Sequence, residues 1–159
     1  MRAAVLLLCL GWALPCGASI LIVRHAEKKD AKDDASLLSP KGKERAKALR
    51  RALSSVALKA VYCTEYMRTQ QTAAPTAEAR KLKPIVTTWE EAAALAPALL
   101  KRPPEEDVLV VGHTDTIPGL LKGLGVAQPV VLADDEFDSL FIVTPRKDKE
   151  PLFLRLHYR

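Results

Sequence analysis

The sequence predicts one α/β domain, a three-layer α/β/α sandwich with a mostly parallel sheet and an antiparallel edge. Short apolar runs alternate along the chain with longer segments of helical hydrophobic spacing, which is typical of strands that alternate with helices. With 159 residues, 48% of them hydrophobic, the chain can bury one core but not two. The last two apolar runs are joined by a short turn, which indicates antiparallel pairing at an edge.

Strands are predicted where short runs rich in apolar or β-branched residues stop at polar or turn-forming residues. The first run directly follows an N-terminal segment of different composition, and the closing pair flanks a basic turn at 145–150. The predicted strands cover residues 19–23, 59–63, 83–87, 108–111, 139–144 and 152–157.

The first helix has the clearest start signal. Ser39 is predicted as the N-cap and Pro40 as the first helical residue, where its missing N–H costs nothing. Apolar residues then recur at helical spacing as far as Leu53. Further helices are predicted over residues 65–80, 90–101 and 117–124. Pro75 is expected to kink or break the helix that contains it.

The first 18 residues differ in kind from the rest of the chain. Arg2 precedes an apolar run over 3–14, and small residues ending at Ala18 follow, which is typical of a secretory signal peptide. We therefore expect a signal peptide over 1–18 and a mature domain over 19–159 that is periplasmic or secreted. A buried N-terminal element and a lipid-modified Cys16 are the alternatives. The run is shorter than the roughly 20 residues of a membrane-spanning helix, so no stable membrane insertion is expected.

Charge and cysteine content narrow the classes of partner. Lys and Arg number 24 against 19 Asp and Glu, and the net charge of +5 favours anionic ligands in general. Aromatic residues make up only 5% and are not interleaved with basic ones, which argues against nucleic-acid binding.

Removal of the signal peptide leaves Cys63 alone, so no internal disulfide is expected. Its apolar neighbours favour a buried side chain over a catalytic thiol.

Two of the predicted strands end in histidine. Arg24 and His25 follow the first strand, His113 follows the fourth, and Arg68 lies in the segment after the second. Because the carboxyl ends of parallel strands meet at one crevice, these side chains are expected to lie close together. Guanidinium groups bind phosphate oxygens and neutral imidazole can attack phosphorus. The set therefore predicts phosphoryl transfer, with His25 as nucleophile, two arginines holding the phosphoryl group, and His113 donating hydrogen bonds to its oxygens.

Protonation of the leaving group requires a carboxylic acid, and several are near in sequence. The candidates are Glu27, Glu65, Glu90, Glu91 and Asp115. Glu27 can instead form a structural ion pair with Lys28. Metal binding is the competing use of the histidines and their neighbouring carboxylates, but two converging arginines would repel a divalent cation. We therefore expect neither a metal nor a cofactor.

The strand-end residues resemble the signature of the histidine phosphatase superfamily, the phosphoglycerate-mutase-like enzymes. The similarity runs in order through residues 24–28, 38–42, 64, 68–73 and 112–118. The resemblance implies an α/β/α sandwich and metal-independent hydrolysis of phosphate esters through a phosphohistidine on His25. It also implies that Arg24, Arg68 and His113 complete the phosphate pocket. Glu90 or Glu91 is the nearest counterpart of the acid in many relatives, with Asp115 second.

The expected function is that of an exported phosphomonoesterase. Its substrate is expected to be a phosphorylated small molecule or a phosphate ester of the cell envelope, because export separates the enzyme from cytoplasmic phosphoproteins. The alternative is a non-catalytic phosphate-ester-binding or interaction module on the same fold. Nothing in the sequence predicts the oligomeric state.

Overall fold

Six strands form one mixed sheet in the computed structural model, which describes residues 17–159. The strands are β1 (Ile20–Arg24), β2 (Ala60–Thr64), β3 (Ile85–Thr87), β4 (Val108–Gly112), β5 (Ser139–Arg146) and β6 (Lys149–His157). Their order in the sheet is β3-β2-β4-β1-β5-β6. The first four strands are parallel, whereas β5 pairs antiparallel with β1 and β6 pairs antiparallel with β5. This confirms the predicted sheet. The predicted signal peptide lies outside the described residues except for its last two.

Five helices complete the described part of the chain. They are α1 (Pro40–Ala52), α2 (Met67–Ala79), α3 (Trp89–Ala92), α4 (Ala96–Leu100) and α5 (Thr116–Gly123). Among residues 17–159, no helix has both the length and the apolar content that crossing a membrane requires.

Apolar layers lie on both faces of the sheet, because alternate residues of a strand point to opposite sides. Val23 of β1 packs in one layer with Leu49 of α1 and with residues of α2. Ile22 packs in the other layer with Phe141 of β5, Leu120 of α5 and residues of α4. Each fully buried side chain of this kind contributes roughly 1.5–3 kcal/mol to stability. The arrangement is the predicted three-layer sandwich.

The start of α1 is as predicted and also closes the loop before it. The Ser39 hydroxyl accepts a hydrogen bond from the Gly42 N–H at 3.0 Å, and Pro40 is the first helical residue. The Ser39 N–H donates to the Glu27 carbonyl at 2.9 Å. A side chain at Gly42 would collide with that same carbonyl, so glycine permits the close approach. The loop between Glu27 and Ser39 is therefore fastened at its base.

The structure narrows one helix prediction and contradicts another. Helix α2 is not broken at Pro75, since Thr72 and Ala73 before it and Thr76 and Ala77 after it are all buried against the fold. Their packing outweighs the roughly 3 kcal/mol that a proline costs inside a helix. The helix predicted over 90–101 is instead two short helices, α3 and α4. Pro97 explains the interruption, because a proline is tolerated in the first turn of a new helix but not in the middle of an old one.

Candidate active site

The two histidines lie side by side at the carboxyl ends of β1 and β4. These strands pair directly, with Arg24 opposite Gly112, so the residues that follow them are brought together. The imidazole centroids of His25 and His113 are 5.4 Å apart, and both side chains are buried. The structure therefore brings the histidines together as the strand pattern predicts.

The His25 ring is oriented by its own backbone. Nδ1 lies 2.8 Å from the Ala26 carbonyl oxygen, which can only accept, so Nδ1 carries the proton and Nε2 keeps a free lone pair. Burial lowers the pKa of His25 to about 3, and the charges of Arg24 and Arg68 act in the same direction. The ring is neutral at physiological pH, which is the form that a nucleophilic imidazole requires.

His113 belongs to a chain of buried polar groups. Its Nε2 lies 2.8 Å from the Thr64 hydroxyl, which lies 3.0 Å from the Thr69 hydroxyl. Its Nδ1 accepts a longer hydrogen bond, 3.4 Å, from Arg68 Nε. Burial, together with the charges of Arg68, Arg24 and Lys28, lowers the pKa of His113 to about 3. Because Nδ1 accepts from Arg68, the proton of this neutral ring lies on Nε2, and the Thr64 hydroxyl accepts it.

Arg24 is held by the segment that precedes β5. Its Nη1 donates to the carbonyl oxygens of Ala133, Asp134 and Glu136 at 2.8–3.1 Å. The guanidinium carbon lies 4.1 Å from the ring centroid of Phe137, a cation–π contact. These contacts use one face and one nitrogen of the guanidinium, so the group is oriented before any ligand arrives.

Arg68 is a buried residue, although its place on α2 would also suit a solvated arginine. Its side chain is 8% exposed. Nη1 donates to the Asp34 carbonyl at 2.7 Å, and the guanidinium carbon lies 4.2 Å from the ring centroid of Tyr66. A loop thus orients this arginine, as another segment orients Arg24.

A cavity of about 530 Å³ opens above these groups. The residues that line it are Arg24, His25, Glu27, Lys28, Ala31, Arg68, Asp134 and Phe137. His113 does not line the cavity itself but contacts two residues that do, His25 and Arg68. The cavity therefore joins both arginines and His25 in one space.

Of the predicted proton donors, Glu27 alone lines this cavity, and Glu90, Glu91 and Asp115 do not. Glu90 and Glu91 are exposed on α3, where the Glu91 carboxylate completes a capping box with Thr88. Asp115 is exposed just before α5. Their assignment as acids stays a prediction, and it would need a substrate that extends beyond the cavity or a movement of these side chains.

Glu27 has a structural role, but its partner is not Lys28. Arg45 donates two hydrogen bonds to the Glu27 carboxylate, at 2.7 and 2.8 Å, and Lys41 lies 3.4 Å away. Burial opposes ionisation of Glu27, yet the hydrogen bonds from Arg45 outweigh it and lower the pKa of Glu27. The carboxylate is thus committed to α1 and is a poor proton donor. The expected pairing with Lys28 is wrong, because Lys28 turns toward the cavity instead.

Metal and thiol chemistry find little support in the described residues. Within 17–159, no three or more His, Cys, Asp or Glu side chains are placed to hold a metal ion. Cys63 is free and buried on β2, as predicted, and burial raises the pKa of its thiol to about 11. A thiol with so high a pKa is almost wholly protonated at neutral pH and is a weak nucleophile.

Three polar groups of the site have no role in the sequence-based prediction. Lys28 and Asp134 line the cavity, and Thr64 contacts His113. Thr64 ends β2 and could have been found by the same strand-end pattern that identifies the histidines. Asp134 had no such signal, because only the packing of the 133–137 segment against Arg24 brings it to the cavity.

The fold and these side chains together define an α/β protein with a preformed cavity that two arginines and a histidine line. The sequence pattern of the histidine phosphatase superfamily (branch 1) matches residues 20–92. Residues 20–92 of this chain are thus similar to a superfamily of phosphatases, as the strand-end motifs predict. A search of curated proteins finds no significant match.

Solved structures support the same fold. The protein histidine phosphatase SixA, complexed with tungstate, superposes with a TM-score of 0.69 at 18% identity, over 87% of this chain and 96% of that one. A mycobacterial glucosyl-3-phosphoglycerate phosphatase complexed with VO3 superposes with a TM-score of 0.67 at 16% identity, over 87% and 97% of the two chains. At such identities the likeness concerns the fold.

Proposed function

We propose that the chain is a metal-independent phosphomonoesterase that forms a phosphohistidine on His25. The observation that carries the proposal is the free Nε2 lone pair of a buried, neutral imidazole between two oriented arginines. Two fixed guanidinium groups match the two negative charges of a phosphate monoester and need little reorganisation during the reaction.

The reaction has two steps in this site. Nε2 of His25 attacks phosphorus as the bond to the leaving oxygen breaks, and that oxygen takes a proton from an acid or from water. Water then attacks the phosphohistidine and gives a proton to the conjugate base of that acid or to solvent, so the P–N bond breaks, inorganic phosphate leaves and Nε2 regains its lone pair. Arg24 and Arg68 stabilise the charge on the transferring group in both steps. His113 donates to the same oxygens once Arg68 Nε turns from Nδ1 to the phosphoryl group and the His113 proton moves from Nε2 to Nδ1.

The substrate and the compartment are also part of the proposal. The basic start, apolar run and small residues of the N-terminal segment support export, and so a periplasmic or secreted enzyme. An exported phosphatase would meet phosphorylated small molecules or phosphate esters of the cell envelope. The cavity of about 530 Å³ is of a size for such compounds.

Trapping of the phosphoenzyme tests the mechanism. The purified protein, with chelator present, is mixed with a ³²P-labelled aryl phosphate and quenched in alkali, where phosphohistidine survives. We expect label on the wild type and none on His25→Ala, with turnover reduced by at least about 10³-fold. His157→Ala is the matched control, because His157 is exposed on β6. Turnover that survives in His25→Ala would refute the mechanism, and saturable binding without turnover would support the non-catalytic module.

A further inference from the structure

Lys28 turns its side chain into the cavity. Its neighbour Glu27 is bound by Arg45 and Lys41, so Lys28 has no partner there. The side chain of Lys28 is only 15% exposed and lines the cavity with Arg24 and other site residues. A lysine buried to this extent and facing a ligand cavity needs an anionic partner.

The anion beside Lys28 is weakly held. Lys28 Nζ donates one hydrogen bond, to the Asp33 carbonyl at 3.2 Å, and the nearest carboxylate oxygen is Asp34 Oδ1 at 3.8 Å. The same oxygen lies 3.5 Å from Arg68 Nη1. The Asp34 side chain is 77% exposed, and ion pairs with so much solvent contribute little. An anionic oxygen therefore fits between Lys28 and Arg68, and a ligand can displace the present one at low cost.

The backbone around Lys28 is fixed. Lys28 forms a β-bridge with Leu38, and the Ser39 N–H donates to the Glu27 carbonyl. The ammonium group is thus presented from the fastened base of the loop rather than from its tip. Preorganisation of this kind reduces the entropy lost when a ligand binds.

Lys28 adds a positive charge to the cavity beyond the two that balance a phosphoryl group. Arg24 and Arg68 supply two positive charges, which match a phosphoryl dianion. Of the carboxylates that line the cavity, Glu27 is bound by Arg45 and Asp134 is exposed. Asp34, beside Lys28 and Arg68, is exposed as well. Arg68 Nη1 is bonded to the Asp34 carbonyl, so the space between Lys28 and Arg68 lies on the loop side of this arginine.

We propose that Lys28 binds a second anionic group, carried by the alcohol part of the substrate, in place of the Asp34 carboxylate. The inference rests on the proposed function and narrows its substrate class to phosphate monoesters with a further carboxylate or phosphate. The site requires that group to be negatively charged and does not define the rest of the alcohol.

A pair of substrates that differ only in charge tests this inference. Turnover of 3-carboxyphenyl phosphate is compared with that of 3-carbamoylphenyl phosphate, whose amide has nearly the same shape. We expect wild-type kcat/KM to favour the carboxylate about tenfold, since a charge-assisted hydrogen bond is of this strength. Lys28→Met should bring the ratio to about one, with the loss falling on the carboxylate ester. Lys29→Met, an exposed neighbour with the same change of charge, should keep the wild-type ratio.

Two further variants guard against a misfolded Lys28→Met. Lys28→Arg keeps the charge and should retain a preference for the carboxylate. Asp34→Asn removes the displaced anion from an exposed side chain, so the preference should rise about threefold. Equal losses on both esters in Lys28→Met would overturn the inference, because Lys28 would then bind the transferring phosphoryl group. A wild type without preference would overturn it as well.

Binding separates this inference from the proposed function. The matching 3-carboxybenzyl and 3-carbamoylbenzyl phosphonates cannot be hydrolysed, and calorimetry measures their affinities directly. A tenfold preference for the carboxylate that Lys28→Met abolishes supports the anion site even if neither ester is turned over. Turnover of both esters with equal phosphonate affinities would instead support the phosphatase and refute the anion site.

Discussion

The floor and the rim of the cavity are built on different principles. We define the floor as Arg24, His25, Arg68 and His113, and the rim as Lys28, Asp34 and Asp134. Floor residues follow paired strands or begin a packed helix, and their polar atoms are held by carbonyls, hydroxyls or aromatic rings. The carboxylates of the rim are exposed on loops.

This difference separates the two tasks of a phosphatase. Chemistry at phosphorus needs groups that are preorganised and dry, which the ends of buried strands provide. Recognition of the alcohol needs groups that can differ between relatives without disturbing the core, and loops provide these. The floor would therefore be common to many substrates, whereas the rim would select among them.

The floor histidines should make stability depend on pH. Each has a pKa near 3 in the folded chain against an ordinary value of 6.5, so between these values the unfolded chain binds more protons. Stability is therefore complete above about pH 6.5 and is lost as the pH falls, by up to about 1.4 kcal/mol per pH unit for each histidine. Urea unfolding from about pH 7 to about pH 5 measures the slope.

Single substitutions show how much of the pH slope each histidine causes. His113→Gln should remove about half of the slope, whereas the exposed His157→Gln should leave it unchanged. An unaltered slope in His113→Gln would mean that the floor is more hydrated than its burial indicates, and the contrast with the rim would weaken.

Asp134, a carboxylate of the rim, is expected to affect the rate of hydrolysis only for substrates with poor leaving groups. Asp134 lines the cavity and Glu90 does not, so Asp134→Asn should slow hydrolysis of an alkyl phosphate about tenfold and leave p-nitrophenyl phosphate within about twofold. Glu90→Gln is the matched control on α3. If Glu90→Gln gives the selective loss instead, the acid predicted from the sequence is the right one, and the rim must include α3.

Substitution of Thr64 tests whether a group that contacts His113 from outside the floor contributes to catalysis. Its hydroxyl can place the His113 proton on Nδ1 only by donating to Nε2, so Thr64→Val should lower kcat about fivefold and change KM little. Thr64→Ser restores the hydroxyl and should restore kcat. A purely structural role would change the melting temperature but not the pH dependence of kcat, which Thr64→Val is expected to shift.

Much of the fold follows from local pattern in the sequence. The six strands were predictable because each is a short apolar run, and the start of α1 because Ser39 and Pro40 have direct local effects on the backbone. The continuity of α2 through Pro75 was not, because burial on both sides of the proline outweighs a local penalty. The split near Pro97 carried a local signal that the alanine-rich composition concealed.

The residues of the site also fall into two groups, those that local pattern predicts and those that only packing places. His25, His113 and the arginines were predictable because residues after parallel strands share one edge of the sheet, whatever the loops do. The sequence by itself thus determined which of these groups lie together at one edge of the sheet. Only the tertiary structure decided that Glu27 pairs with Arg45, that Lys28 faces the cavity and that Asp134 lies beside Arg24. These contacts join residues far apart in the chain or compete with equally plausible near neighbours, and packing alone chooses among them.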